Sequence, residues 1–173
     1  MKRGIFMQNE RYSILFSSLT GNTRYLADAL KEALPKDKCD YFGEICEASP
    51  TSDIVYVGFW TDKGVADGKA LELLKKLKNK KIFLFGTAGF GGSDEYFDKI
   101  VSKTKEAIDE SNTVIGEYMC QGKMPQSVKD RYIKMKEQAN CPPNIDMLIE
   151  NFDRALSHPN KDDLDKLVEA AVK

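Results

Sequence analysis

Histidine is nearly absent from this sequence: His158 stands alone beside Pro159, and the four cysteines, Cys39, Cys46, Cys120 and Cys141, are scattered without a CxxC pair. That spacing offers no Ser/His/Asp or Cys/His catalytic set and none of the ligand patterns of a zinc site. An excess of charge of one sign is also lacking, since 26 basic residues meet 27 acidic ones and leave a net charge of -1. No global field therefore attracts nucleic acid or an anionic membrane. No window approaches the roughly 20 apolar residues that a membrane span needs, and the opening MKRGIFMQNER has no apolar core of secretory-signal length. A cytoplasmic protein with reduced, idle thiols is the expectation.

What is present is an apolar fraction of 42% in 173 residues, enough for one domain with a full core. A single domain over 1–173 is expected, with an N-terminal extension at 1–10 and a helical appendix at 140–173. Short runs rich in β-branched and aromatic residues at 12–16, 54–59, 81–86 and 112–119 read as buried parallel strands, and 39–43 as an edge strand. Between them, 22–34, 67–79 and 93–110 carry helical spacing, as in the stripe Ala70, Leu71, Leu74 and Leu77 with lysines opposite. Helices at about 126–138, 143–157 and 161–172 follow, broken by NCPPN and SHPNKDD. The alternation predicts an α/β three-layer sandwich, with one late helix serving as the last crossover and the others as extra C-terminal helices.

In open parallel sheets ligands bind beyond the carboxyl ends of the strands, so the loops there carry the function. After the first strand, Ser18-Leu19-Thr20-Gly21-Asn22-Thr23 runs directly into a helix with no lysine or arginine between 17 and 23. Unpaired amides at a helix start suit an anion, three hydroxyls add donors, and Gly21 lets the backbone curl around a tetrahedral group. The missing lysine separates this loop from the P-loop, whose lysine serves a transferable phosphate. After the third strand come Phe59, Trp60, Thr61 and Asp62, where Trp60, the sole tryptophan, is either a cover for the sheet end or a stacking face. After the fourth strand, Thr87-Ala88-Gly89-Phe90-Gly91-Gly92 brings glycines that let backbone approach a flat ligand.

These residues carry a resemblance. SSLTGNT, at 17–23, is similar to the [S/T]-x-[S/T]-G-N-T phosphate loop of flavodoxins, and the strand pattern agrees over about 12–120. The resemblance implies a doubly wound parallel sheet in the order 2-1-3-4-5 and a noncovalent FMN. Its phosphate would lie on Ser18, Thr20, Gly21, Asn22 and Thr23, with Leu19 in the same loop. Its ring would lie between Phe59, Trp60, Thr61 and Asp62 on one side and Thr87, Ala88, Gly89, Phe90, Gly91 and Gly92 on the other. More narrowly, SSLTGNT, VGFWTDKG, FGTAGFGGSDEYF and YMCQGKMP resemble a subgroup of short flavodoxin-like proteins of anaerobic bacteria, among them the one encoded with bilirubin reductase.

The sequence departs from the family pattern in three ways. Its near-neutral charge provides little long-range steering toward a basic partner. The second stacking aromatic is Phe90, with Tyr96 as the other candidate. Thr61 stands where flavodoxins often have a glycine whose peptide reorients toward the flavin N5; a β-branched residue there would make positive φ costly, unless the reorientation falls at Lys63-Gly64, which the sequence permits and which cancels the cost. The implied function is a low-potential electron carrier to a reductase partner, acting as a monomer. The alternative is an NAD(P)H-dependent FMN, quinone or small-molecule reductase, acting on a tetrapyrrole such as bilirubin, or an accessory subunit of one. Lys63 and Lys123 are the only basic residues read in the rim loops, which favours the carrier. A phosphorylation receiver of the same topology is excluded, because its acidic positions hold Ser17, Ser18 and Phe59.

Overall fold

Tyr12–Phe16 is buried at every position, as a strand covered on both faces must be. In the computed structural model, which describes residues 9–173, this β1 pairs with β2 (Cys39–Glu44) and β3 (Ile54–Asp62). Beyond β3 lie β5 (Lys81–Ala88) and β6 (Thr113–Gln121), giving the parallel order β2-β1-β3-β5-β6. The short β4 (Val65–Ala66) pairs antiparallel with the end of β3. Apart from β4 the order is the expected 2-1-3-4-5. Most of the expected N-terminal extension, 1–8, lies outside the described residues.

Alternation along each strand divides the core between two faces. On one, Tyr12, Ile14, Phe16, Tyr56, Phe83 and Phe85 meet Leu26 and Leu30 of α1 (Asn22–Ala33) and Leu167 and Ala171 of α6 (Lys161–Val172). On the other, Leu15, Val55, Val57, Phe59 and Leu84 meet Leu73 and Leu74 of α2 (Gly68–Lys76) and Ile100 and Val101 of α3 (Asp94–Lys105). Gly58 makes room for the first face, since a Cβ there would lie 2.4 Å from Phe85 Cζ and 2.8 Å from Phe16 Cβ.

The late helices divide in two. The last, α6, opens with a capping box between Asn160 and Asp163 and packs on α1 and β6, so it completes the three layers. Between β6 and α6, helices α4 (Gln126–Lys136) and α5 (Ile145–Ala155) pack on one another, with ion pairs Lys129–Asp153 and Lys136–Asp146, each at 2.6 Å. One buried amide ties this pair to the sheet: Asn151 Nδ2 donates to the Gly89 carbonyl (3.0 Å) and Asn151 Oδ1 accepts from Gln121 Nε2 (3.0 Å). Gln121 Nε2 also donates to the Gly89 carbonyl, at 3.1 Å. The C-terminal insertion is thereby anchored on a loop at the carboxyl edge of the sheet. Among the described residues no helix is long and apolar enough to cross a membrane.

Candidate functional site

The carboxyl ends of β1, β3, β5 and β6 surround a cleft of about 660 Å³, within the size range of small-molecule sites. Its base is the start of α1. Gly21 holds φ 92 with open space where a Cβ would stand, so the left-handed backbone alone calls for glycine there. No acidic residue lies in the first helical turn, so no like charge there opposes an anion at the helix start.

The three hydroxyls of this loop do different work. Thr20 lines the cleft, and its Oγ1 accepts from Asn22 Nδ2 (3.2 Å), which also donates to the Lys123 carbonyl at 2.9 Å. Ser18 Oγ accepts from the Arg24 amide at 3.2 Å. Thr23 is buried; its hydroxyl donates to the Phe59 carbonyl (3.1 Å) and bonds the Thr87 hydroxyl (3.0 Å). Thr23 thus joins α1, β3 and β5 beneath the cleft, instead of standing open like Thr20.

The segment after Phe59 differs from the loop expected there. β3 continues through Asp62, and Thr61 and Asp62 pair with Ala66 and Val65 across a two-residue turn. Lys63 at φ 51 and Gly64 at φ 83 are both left-handed, as a type I′ hairpin requires. Thr61 itself is extended, with its hydroxyl donating to the Thr87 carbonyl at 2.9 Å, and positive φ falls on the two residues of the turn. Phe59 also needs correcting as a cofactor contact. Strand alternation turns its side chain into the core against α2, and only its carbonyl faces Thr23. Trp60, one residue on, lines the cleft, and Asp67 holds its backbone from both sides: Trp60 N donates to Oδ2 (3.3 Å) and the Trp60 carbonyl accepts from Asp67 N (3.0 Å).

This hairpin has a measurable consequence. Thr61→Gly removes a hydrogen bond worth about 1 kcal/mol and weakens the strand by up to about 1 kcal/mol. Gly64→Ala forces a side chain into a left-handed position at about 1 kcal/mol. Both variants should unfold at lower urea concentration than the parent, and unchanged midpoints would show that this turn does not hold in solution.

Thr87, Ala88, Gly89 and Phe90 also line the cleft, whereas Gly91 (φ 97) and Gly92 (φ 62) shape the turn behind them; neither Asp62 nor these two glycines is among the lining residues. The two aromatics weighed for the second wall act as a pair: Phe90 and Tyr96 both line the cleft, edge to face with centroids 5.8 Å apart. The sequence reading placed Lys123 at the rim but missed the rest of the fourth wall, made by Gly122, Met124 and Pro125 and by Val128, Arg131 and Tyr132 of α4. A usable signal existed for the first part, because parallel strands place all their carboxyl ends on one edge, and YMCQGKMP follows such an end. The helix at 126–138 was expected, but nothing in the sequence marked it as a wall of the cleft. Cys120, in register with Thr87, is buried, and that burial, with Asp163 adding, pushes its thiol far above the ordinary range. It offers no accessible nucleophile beside the cleft.

The family model of the flavodoxin domain matches residues 13–172, and the chain belongs to that family. Among its relatives, it is 39% identical over 172 residues to the flavodoxin-like domain-containing protein BilS of Clostridium symbiosum (strain WAL-14163), covering 89% of this chain and 90% of that protein. To the protein of the same name from Clostridioides difficile (strain CD3) it is 31% identical over 155 residues, covering 87% and 88%. Oxidised flavodoxin 2 from Bacillus cereus shares the fold at 14% identity and a TM-score of 0.57, over 93% of this chain and 94% of that one. The resemblance read from the motifs is thus borne out.

Proposed function

We propose that the protein is an FMN-dependent electron carrier to a reductase partner. FMN is the cofactor of the family to which the chain belongs, and the cleft residues fit it. Helix-start amides with Thr20 suit its phosphate, with Ser18 in the same loop but outside the lining, Trp60 offers a face to its ring, and the Phe90–Tyr96 pair adds a second aromatic wall. When bound, FMN supplies one- and two-electron chemistry. The chain's own residues bind and orient it, and the amides of Asn151 and Gln121 hold the Gly89 loop in place against it.

The observation that carries the carrier reading is the chemistry of the lining. It consists of aromatic, hydroxyl, amide, aliphatic, thioether and cationic groups, with no carboxylate, imidazole or thiol among the described lining residues, so that Tyr96, Tyr132 and the two lysines are the only side chains there of a kind that moves protons. One observation favours the second reading, an NAD(P)H-dependent or tetrapyrrole reductase or an accessory of one. Arg131 joins Lys63 and Lys123 at the cleft, so the basic groups there are more numerous than the rim loops alone suggested. Anaerobic stopped-flow mixing of the FMN-loaded protein with NADH or NADPH separates the two. Flavin absorbance should persist for minutes with either nucleotide and bleach with dithionite. Bleaching within a second by one nucleotide would overturn the carrier reading.

A further inference from the structure

We propose that the reductase partner docks through an acidic face, and that Lys63, Lys123 and Arg131 select it; this rests on the carrier reading. The three cations come from separate places, the β3–β4 turn, the exit of β6 and helix α4, and meet at one cleft, whose described lining contains no acidic residue. In a chain of 26 basic and 27 acidic residues this segregation is a local feature, hidden in the net charge. All three are exposed and none makes an ion pair among the described residues, whereas Lys129 and Lys136, on the same helix as Arg131, are bound to Asp153 and Asp146 of α5. The helix therefore spends two of its cations on holding α5 and leaves Arg131 toward the cleft. Asp62, the acid beside Lys63, lies outside the lining, and Glu95 on α3 is paired with Lys99.

Two further observations point to a macromolecular face. Lys63 sits at φ 51, a conformation that asparagine or glycine adopts at lower cost, so the turn carries a lysine despite the backbone. Leu19, in the lining, is 69% exposed, large for an apolar side chain, and Phe90, on the flavin wall, is 39% exposed beside it. An apolar centre flanked by unpaired cations, one of them arginine, is the composition of a protein-docking surface, and charge complementarity requires acids opposite. The sign is opposite to that of an acidic carrier docking a basic partner.

The probe is one haem protein in two charge forms: native cytochrome c, with a basic face, and succinylated cytochrome c, whose lysines have become carboxylates. Association with the full chain is read by interferometry, without electron flow, at about 20 mM and about 500 mM salt. The succinylated form should bind about tenfold or more tighter at low salt, with the difference lost at high salt. The triple variant Lys63→Asn, Lys123→Ser, Arg131→Gln should also lose it, asparagine being chosen to keep the left-handed turn. Tighter binding of native cytochrome, or equal binding of both, overturns the proposal. Binding of neither also overturns it, and a citrate-dependent change in Trp60 emission would then assign the cations to a small anion. Failure of the cofactor reading shows separately, as flavin emission that the protein leaves unquenched.

Discussion

Riboflavin should bind this protein at least about 100-fold more weakly than FMN, close to 3 kcal/mol. The phosphate is the only difference between the two ligands, and its site is built from neutral donors. Gly21 is left-handed, the first turn of α1 carries no acid, and Thr20 faces the cleft. A hydrogen bond to a charged group is worth about 1.5–3 kcal/mol, so two of them account for the difference without a lysine. Thr20→Ala should cost one such bond. Thr23→Ala should behave differently, because its buried hydroxyl serves the Phe59 carbonyl and Thr87, and its loss should lower folding stability by about 1–3 kcal/mol in addition to loosening the loop. Titration of the FMN-free protein with each flavin, followed by emission quenching, measures the affinities. Equal binding of riboflavin and FMN would mean that the start of α1 is an ordinary helix end.

Replacing Trp60 by alanine should weaken FMN by about 1–3 kcal/mol, on the scale of aromatic stacking on a base, and should raise the emission of the bound flavin. Trp60 is the sole tryptophan and lines the cleft at the end of β3, in register with Thr87. Asp67 fixes its backbone and caps α2 through Oδ1, accepting from Lys69 N (3.1 Å) and Ala70 N (3.3 Å), so the ring is presented from a rigid support. Phe90→Ala should do less, since Phe90 already leans edge-on against Tyr96 and is partly exposed. Trp60→Phe should recover part of the affinity, because a smaller flat face remains. Unchanged emission and affinity in Trp60→Ala would leave Trp60 as a cover for the sheet end.

Much of the site was legible because its determinants are local. The SSLTGNT turn lies within seven consecutive residues, and a glycine at a strand-to-helix junction announces its own backbone geometry. Trp60 and Phe90 were legible for the same reason, as aromatics just beyond buried strands. Phe59 was misplaced because β3 keeps its pleat past the core: strict alternation sends residue 59 inward and residue 60 to the cleft. Of the two places weighed for positive φ, Thr61 and Lys63-Gly64, the structure puts it at the second, because the strand finds a hairpin partner in Val65 and Ala66.

The sequence by itself determined the α/β alternation, the five long parallel strands and the loop that starts α1. Hydrophobic period, strand length and the steric demands of glycine act within a few residues, and they leave a readable pattern. Only the tertiary structure decided which late helix closes the sandwich, that α4 walls the cleft, and that Lys63, Lys123 and Arg131 share one surface. These are matters of packing between segments far apart in the chain. The apolar stripe of α6 and the amide of Asn151 find their partners on α1 and at Gly89 only after the sheet has formed. Net charge is likewise a sum with no position in it, and a chain of balanced charge can still gather one sign at a single cleft, because folding sorts residues by surface and not by order.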